Sequence, residues 1–178
     1  AMARSEELLS LVRIPDPKKT LYKFPYQLSG GMRQRVMIAI SIACNPKLLF
    51  ADEPTTALDV TVQAQILQLL GDLRRELGMA MVLVTHDLGV VAGNTDFVAV
   101  MYAGEIVEQA PTKKLFALMR MPYTEALLKS IPKIDTPSGK RLQVIEGRLP
   151  DPTDRPLGCS FAARCMYVQP KCLAEHPP

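Results

Sequence analysis

The chain has 178 residues, is 48% hydrophobic and carries a formal net charge of +3, which suits one globular domain with a small appendage and excludes wholesale disorder. Its 21 basic residues are interspersed with 18 acidic ones, too slight a bias for nucleic acid or an anionic membrane surface. No run approaches the roughly 18 apolar residues of a membrane span; the longest, residues 36–44, is nine residues and contains Ser41.

The N-terminus, AMARSEELL, lacks a charged-then-apolar leader pattern, so the expected setting is cytosolic. Ser5 can cap a short helix carrying Leu8, Leu9 and Val12, which Pro15 and Pro17 end. After a loop through Pro25, Ser29 sits where a helix cap belongs, and residues 32–44 have helical character until Asn45-Pro46 stops them. Leu48-Leu49-Phe50-Ala51 is short, apolar and bounded by turn residues, so it reads as a buried strand. Asp59 can cap a long helix whose apolar stripe is Ile66, Leu69, Leu70 and Leu73, ending at Gly78. Residues 79–84 form a second buried strand that stops at Thr85-His86-Asp87. Residues 97–101 and 105–107 flank Tyr102-Ala103-Gly104 as a β-hairpin. Strands alternating with long helices imply an α/β fold with a mostly parallel sheet core. Eight of the fifteen prolines lie from residue 131 onward, which reads as an irregular tail tied onto the main domain or held by its cysteines.

Three segments carry chemistry. In Leu28-Ser29-Gly30-Gly31-Met32-Arg33-Gln34-Arg35, a small hydroxyl and two glycines at a helix start expose backbone N–H groups beside a positive dipole end. That arrangement suits a phosphate, although a glycine-rich capped helix also occurs for structural reasons alone. Leu48-Leu49-Phe50-Ala51-Asp52-Glu53-Pro54 places two adjacent carboxylates where a strand ends, the edge at which α/β sheets hold ligands. One carboxylate can hold Mg²⁺ through water, and the other can polarise an attacking water. His86 can cap a helix or satisfy a core polar group; its place past the next strand sets it at the same edge as Asp52 and Glu53.

The order LSGGMRQR, then LLFADEPTTALD, then THD resembles the nucleotide-binding domain of ABC transporters, over residues 5–130. The resemblance implies a partial P-loop NTPase-type fold, with a helical subdomain and a sheet core, that works with ATP and Mg²⁺. It implies that Ser29, Gly30, Gly31 and Gln34 belong to the signature loop, which touches the γ-phosphate of ATP held by the opposite subunit. Asp52 matches the carboxylate near Mg²⁺, Glu53 the general base, Asp59 the loop crossing the dimer interface, and His86 the histidine that contacts the γ-phosphate. No stretch reads G-x-x-x-x-G-K-[ST], the loop whose backbone cradles phosphates. In this family that loop lies upstream, so the chain is expected to be a piece of a longer protein and inactive alone.

The tail narrows the family. Pro122-Tyr123-Thr124 with the helix that follows, and the run from Gly158-Cys159 through Cys165 to Cys172, resemble the C-terminal extension of oligopeptide and dipeptide (sometimes nickel) importer ATPases. The resemblance implies residues 1–130 as a partial ATPase domain and residues 131–178 as a truncated extension. It also implies a second ATPase subunit, transmembrane permease subunits and, indirectly, a peptide-binding protein as partners, with no nucleic acid. The setting implied is the cytoplasmic face of the plasma membrane, held peripherally. In some members such cysteines hold a 4Fe–4S cluster; here the spacing of five and six intervening residues is not the C-x₂-C pattern of common zinc sites. Cys44, at the end of the signature helix, is expected in the core and is a poor fourth ligand; free thiols packing the tail are the other reading. Two other functions remain open: a non-catalytic remnant that binds a partner, and an ABC-type ATPase of DNA repair. Against the latter, only residues 36–47 separate the signature motif from the acidic strand, leaving no space for a coiled-coil or zinc-module insertion.

Overall fold

The computed structural model describes residues 1–131 and 144–177; Pro132, Pro137 and Pro178 of the proline-rich tail lie outside them. The chain divides into two compact units, Ala1–Asp87 and Leu88–Pro178.

In the first unit, helix α1 spans Met2–Leu11 and starts from Ala1, not from Ser5. Ser5 instead lies inside the helix and returns its hydroxyl to the Ala1 carbonyl at 3.3 Å, the back-bonding that mid-helix serines favour when they do not cap. The short α2 spans Pro17–Thr20, and a single 3₁₀ turn spans Pro25–Gln27. Helix α3, Gly30–Ile42, is capped by Ser29, whose Oγ accepts from the Met32 N–H at 3.3 Å. Strand β1, Leu48–Asp52, leads to helix α4, Val60–Glu76, capped by Asp59, whose carboxylate accepts from the Val62 N–H at 2.9 Å. Strand β2, Ala80–Val84, then pairs parallel with β1, Asp52 standing opposite Val84.

The stripe Ile66, Leu69, Leu70 and Leu73 of α4 is buried together with Leu8, Leu9, Val12, Ile38, Ile42, Leu49 and Ala51. Each buried Leu, Ile or Val side chain among them contributes about 1.5–3 kcal/mol relative to leaving it exposed. The strands correct the expectation of full burial. Only one sheet face meets this core, so β1 alternates and leaves Phe50 67% exposed, while β2 leaves Val84 46% exposed. Cys44 is a second correction: α3 ends at Ile42, and the thiol is exposed rather than in the core.

The second unit opens with helix α5, Leu88–Asn94. Strands β3, Phe97–Tyr102, and β4, Glu105–Pro111, form the antiparallel hairpin, the second strand running four residues further than the sequence pattern indicated. Ala103 and Gly104 both take positive φ, 48° and 83°, as the two central residues of a tight hairpin turn require. Helices α6, Thr112–Ala117, and α7, Pro122–Ser130, follow, and Val91, Val98, Val100 and Leu115 form a separate core.

From residue 144 the tail has little regular structure, one 3₁₀ turn at Ala162–Arg164 and the short α8, Pro170–Ala174. It is tied to the hairpin by aromatic and polar contacts. Phe161 meets Tyr102 edge-on at 5.2 Å and Tyr123 at 5.3 Å. Glu105 accepts from Ser160 Oγ at 2.8 Å and pairs with Arg155 and His176. Arg164 donates to Tyr102 Oη at 3.3 Å and, within the tail, to the carbonyls of Ile145 and Glu146, both at 2.8 Å. Where Cys159 N–H donates to the Cys172 carbonyl at 2.8 Å, the backbones approach so closely that a Cβ on Gly158 would lie 2.3 Å from that oxygen.

Candidate active site

The parallel pair β1–β2 brings the acidic and histidine motifs together. Beyond Asp52 the ladder continues for one more bond, Glu53 N–H to the Val84 carbonyl at 2.9 Å, and there the chain turns sharply. Glu53 adopts φ +44° and Ala57 φ +61°, left-handed positions that side chains other than glycine seldom occupy and that cluster at functional sites. The turn is held by Thr56 N–H to the Glu53 carbonyl, 3.1 Å, and Leu58 N–H to that of Thr55, 3.3 Å.

This turn leaves the Glu53 carboxylate gripped on both oxygens. Oε1 lies 2.6 Å from His86 Nδ1, and Oε2 accepts from Thr56 Oγ1 at 2.6 Å. The Thr56 and His86 hydrogen bonds hold the Glu53 carboxyl below its ordinary value. The bond to Glu53 and its negative charge raise His86 above the ordinary histidine value. Asp52 is exposed at the strand end beside them. Thr56 is the one member that the sequence reading missed. Its signal is a hydroxyl three residues after a carboxylate within a proline-containing turn, the spacing at which Ser and Thr side chains bond locally.

The sign of each shift sets a pH window. A raised histidine contributes stability that is complete below 6.5 and is lost as pH climbs through the raised value. A lowered carboxylate contributes stability that is complete above 4.5 and is lost as pH falls through the lowered value. The pair therefore holds best between 4.5 and 6.5. In an NMR titration of the chain, the His86 midpoint is expected above 6.5 and should move back towards it in Glu53→Gln. A wild-type midpoint at or below 6.5 would contradict the pairing.

The signature residues gather at a second place in the same unit. With Met32 N–H taken by Ser29, the amides of Gly30 and Gly31 have no acceptor among the described residues and stand open at the first turn of α3, whose positive dipole end favours anions. A Cβ on Gly31 would lie 2.7 Å from Val62 Cγ1, whereas one on Gly30 would meet only Leu58 Cδ2, at an ordinary 3.5 Å. Gly31 is thus required by packing against α4; Gly30 is not. Gln34 is half-buried on α3, and Asp59 is engaged in capping α4. Among the described residues no hydrogen bond joins these groups to the Glu53–His86 pair.

The residues fit part of a nucleotide site. The open amides suit phosphate oxygens, and an exposed Asp52 suits a hard cation held through water. They do not fit an iron–sulfur centre. No group of three or more His, Cys, Asp or Glu among the described residues is placed to hold a metal ion. Cys165 Sγ accepts from the Tyr167 N–H at 3.4 Å.

Comparison with known proteins agrees with both halves of the sequence. The ABC transporter family model matches residues 1–56, and that of the oligopeptide/dipeptide transporter C-terminal region matches residues 107–172. The chain is 51% identical to the dipeptide transport ATP-binding protein DppD of Haemophilus influenzae, over 98% of this chain and 52% of the relative. It is also 51% identical to the oligopeptide transport ATP-binding protein OppD of Bacillus subtilis, over 100% of this chain and 50% of the relative. Among solved structures it is similar to the dimeric post-hydrolysis state of the ATP-binding cassette MJ0796 bound to ADP and Pi. That match has 35% identity and a TM-score of 0.53, covering 62% of this chain and 46% of that one. The chain spans about half the length of the curated relatives it matches. With signature, acidic strand, histidine and tail all present in order, the chain belongs to the family of ABC-transporter ATP-binding subunits, in its oligopeptide/dipeptide branch.

Proposed function

We propose that this chain forms part of an ATP-hydrolysing subunit that energises import of di- or oligopeptides through a membrane permease. The observation that carries this reading is the Glu53 carboxylate, held on both oxygens at the edge of a parallel strand pair beside His86 and Asp52. A carboxylate so fixed, and kept ionised, can take a proton from an attacking water. Bound MgATP would supply the phosphoryl group and its metal, with Asp52 facing the metal through water and His86 the terminal phosphate. The open amides of Gly30 and Gly31 would meet the phosphates of a nucleotide on a second subunit, and Asp59 would lie at that same interface. MJ0796, a dimeric cassette, supports such pairing.

In this reading residues 1–130 belong to the ATPase domain and residues 131–178 to the importer-type extension. The partners are a second ATPase subunit, permease subunits and, through them, a peptide-binding protein, at the cytoplasmic face of the plasma membrane. No helix among the described residues is long and apolar enough to cross a membrane.

A second reading, a partner-binding module without turnover, is favoured by one observation: the sequence contains no G-x-x-x-x-G-K-[ST]. The 178-residue chain by itself is accordingly expected to release no phosphate from MgATP. Mg²⁺-dependent release that Glu53→Gln abolishes would overturn this expectation. The catalytic reading applies to a complete subunit, in which this chain is joined to a segment bearing that loop.

A further inference from the structure

We propose that Thr56 is a positioning residue for the Glu53 carboxylate, fixing Oε2 so that the carboxylate keeps its aim when His86 lets go of Oε1. The proposal rests on the reading of Glu53 as the base.

The two partners of Glu53 are unlike. His86 belongs to the segment after β2, and its side chain is 82% exposed, so water and any phosphate can compete for Nδ1. Thr56 sits three residues along the same turn and is tied to Glu53 twice, by backbone at 3.1 Å and by side chain at 2.6 Å. At 2.6 Å the hydroxyl-to-carboxylate bond falls in the range of charge-assisted bonds, the stronger class. Being β-branched, Thr56 also has few side-chain rotamers to lose in making it.

The backbone of the turn is fixed independently. Glu53 N–H bonds to the Val84 carbonyl, and Leu58 N–H closes onto Thr55. Removing the Thr56 hydroxyl therefore releases Oε2 without opening the turn. Among the described residues, neither Asp52 nor Asp59 bonds to Glu53; Asp59 is occupied by the Val62 N–H. If His86 turns to a terminal phosphate, as the proposed function requires, Thr56 is the one remaining side-chain bond on Glu53 among the described residues. A general base must stay within hydrogen-bond reach of its proton, and a single well-aligned hydroxyl supplies that restraint.

Thr56→Val keeps the branched shape and loses the bond; Thr56→Ser keeps the bond. In the 178-residue chain carrying His86→Ala, which removes the other grip on Glu53, NMR side-chain couplings of Glu53 should report one dominant rotamer with Thr56 or Thr56→Ser, and averaged rotamers with Thr56→Val. Unaveraged couplings in His86→Ala with Thr56→Val overturn the proposal. In a complete subunit, Thr56→Val should lower kcat by roughly tenfold with KM for MgATP nearly unchanged, and Thr56→Ser should restore it. Added to Glu53→Gln, Thr56→Val should cost nothing more, because a residue acting through another loses its effect with it. An equal further loss in the Glu53→Gln background overturns the positioning role. If Glu53→Gln itself leaves turnover unchanged, the base assignment fails, and the couplings still decide whether Thr56 holds the carboxylate.

Discussion

Glu53→Gln in a complete subunit is expected to slow ATP turnover by roughly 10²–10⁴-fold, the usual worth of a positioned general base, while ATP continues to bind. The amide preserves the volume of the carboxylate and one acceptor oxygen, so either the contact to Thr56 Oγ1 or that to His86 survives in some form. What it loses is the ability to accept a proton. The backbone at φ +44° is unaffected, and a Gln of nearly the same volume keeps the contacts of this partly exposed side chain. The loss should therefore appear in kcat, with the KM for MgATP changed little. Steady-state phosphate release by wild type and variant checks this. Wild-type turnover in the variant would remove Glu53 from the chemistry.

Much of this site is legible from local sequence because its parts are set by local rules. Ser29 and Asp59 are cap residues, and both cap the helices they precede. The α4 stripe has a period of one face, and all four of its members are buried. Asp52, Glu53 and His86 lie at strand ends, and a parallel register of Leu48 with Ala80 carries those ends to the same edge.

What the sequence does not disclose depends on three-dimensional neighbours. A short continuous apolar run reads as a strand buried on both faces, so the exposure of Phe50 and Val84 emerges only from the packing. The grip of Thr56 on Glu53 depends on a left-handed φ at a non-glycine residue, which no propensity scale anticipates. The tail shows the same limit. Its cysteines draw the eye, yet the contacts that tie it to the hairpin are made by Phe161, Ser160 and Arg164. The need for glycine at position 158 emerges only with the approach of the Cys172 carbonyl.

In the proposed function the start of α3 faces phosphate across a pair of subunits, and Gly30 tests this role most directly. A Cβ there meets nothing closer than Leu58 Cδ2 at 3.5 Å, so Gly30→Glu has room within its own chain. Its carboxylate would stand at the positive end of the helix, which favours folding rather than opposing it. Against a phosphate the same group would be repulsive and would fill the space that backbone must approach. Sedimentation velocity of complete subunits in MgATP, in the hydrolysis-slowed Glu53→Gln background, separates these effects. An ATP-dependent dimer is expected for Glu53→Gln alone, and a folded monomer at the same ATP concentration once Gly30→Glu is added. An undiminished ATP-driven dimer in the double variant would contradict a phosphate-facing role for α3.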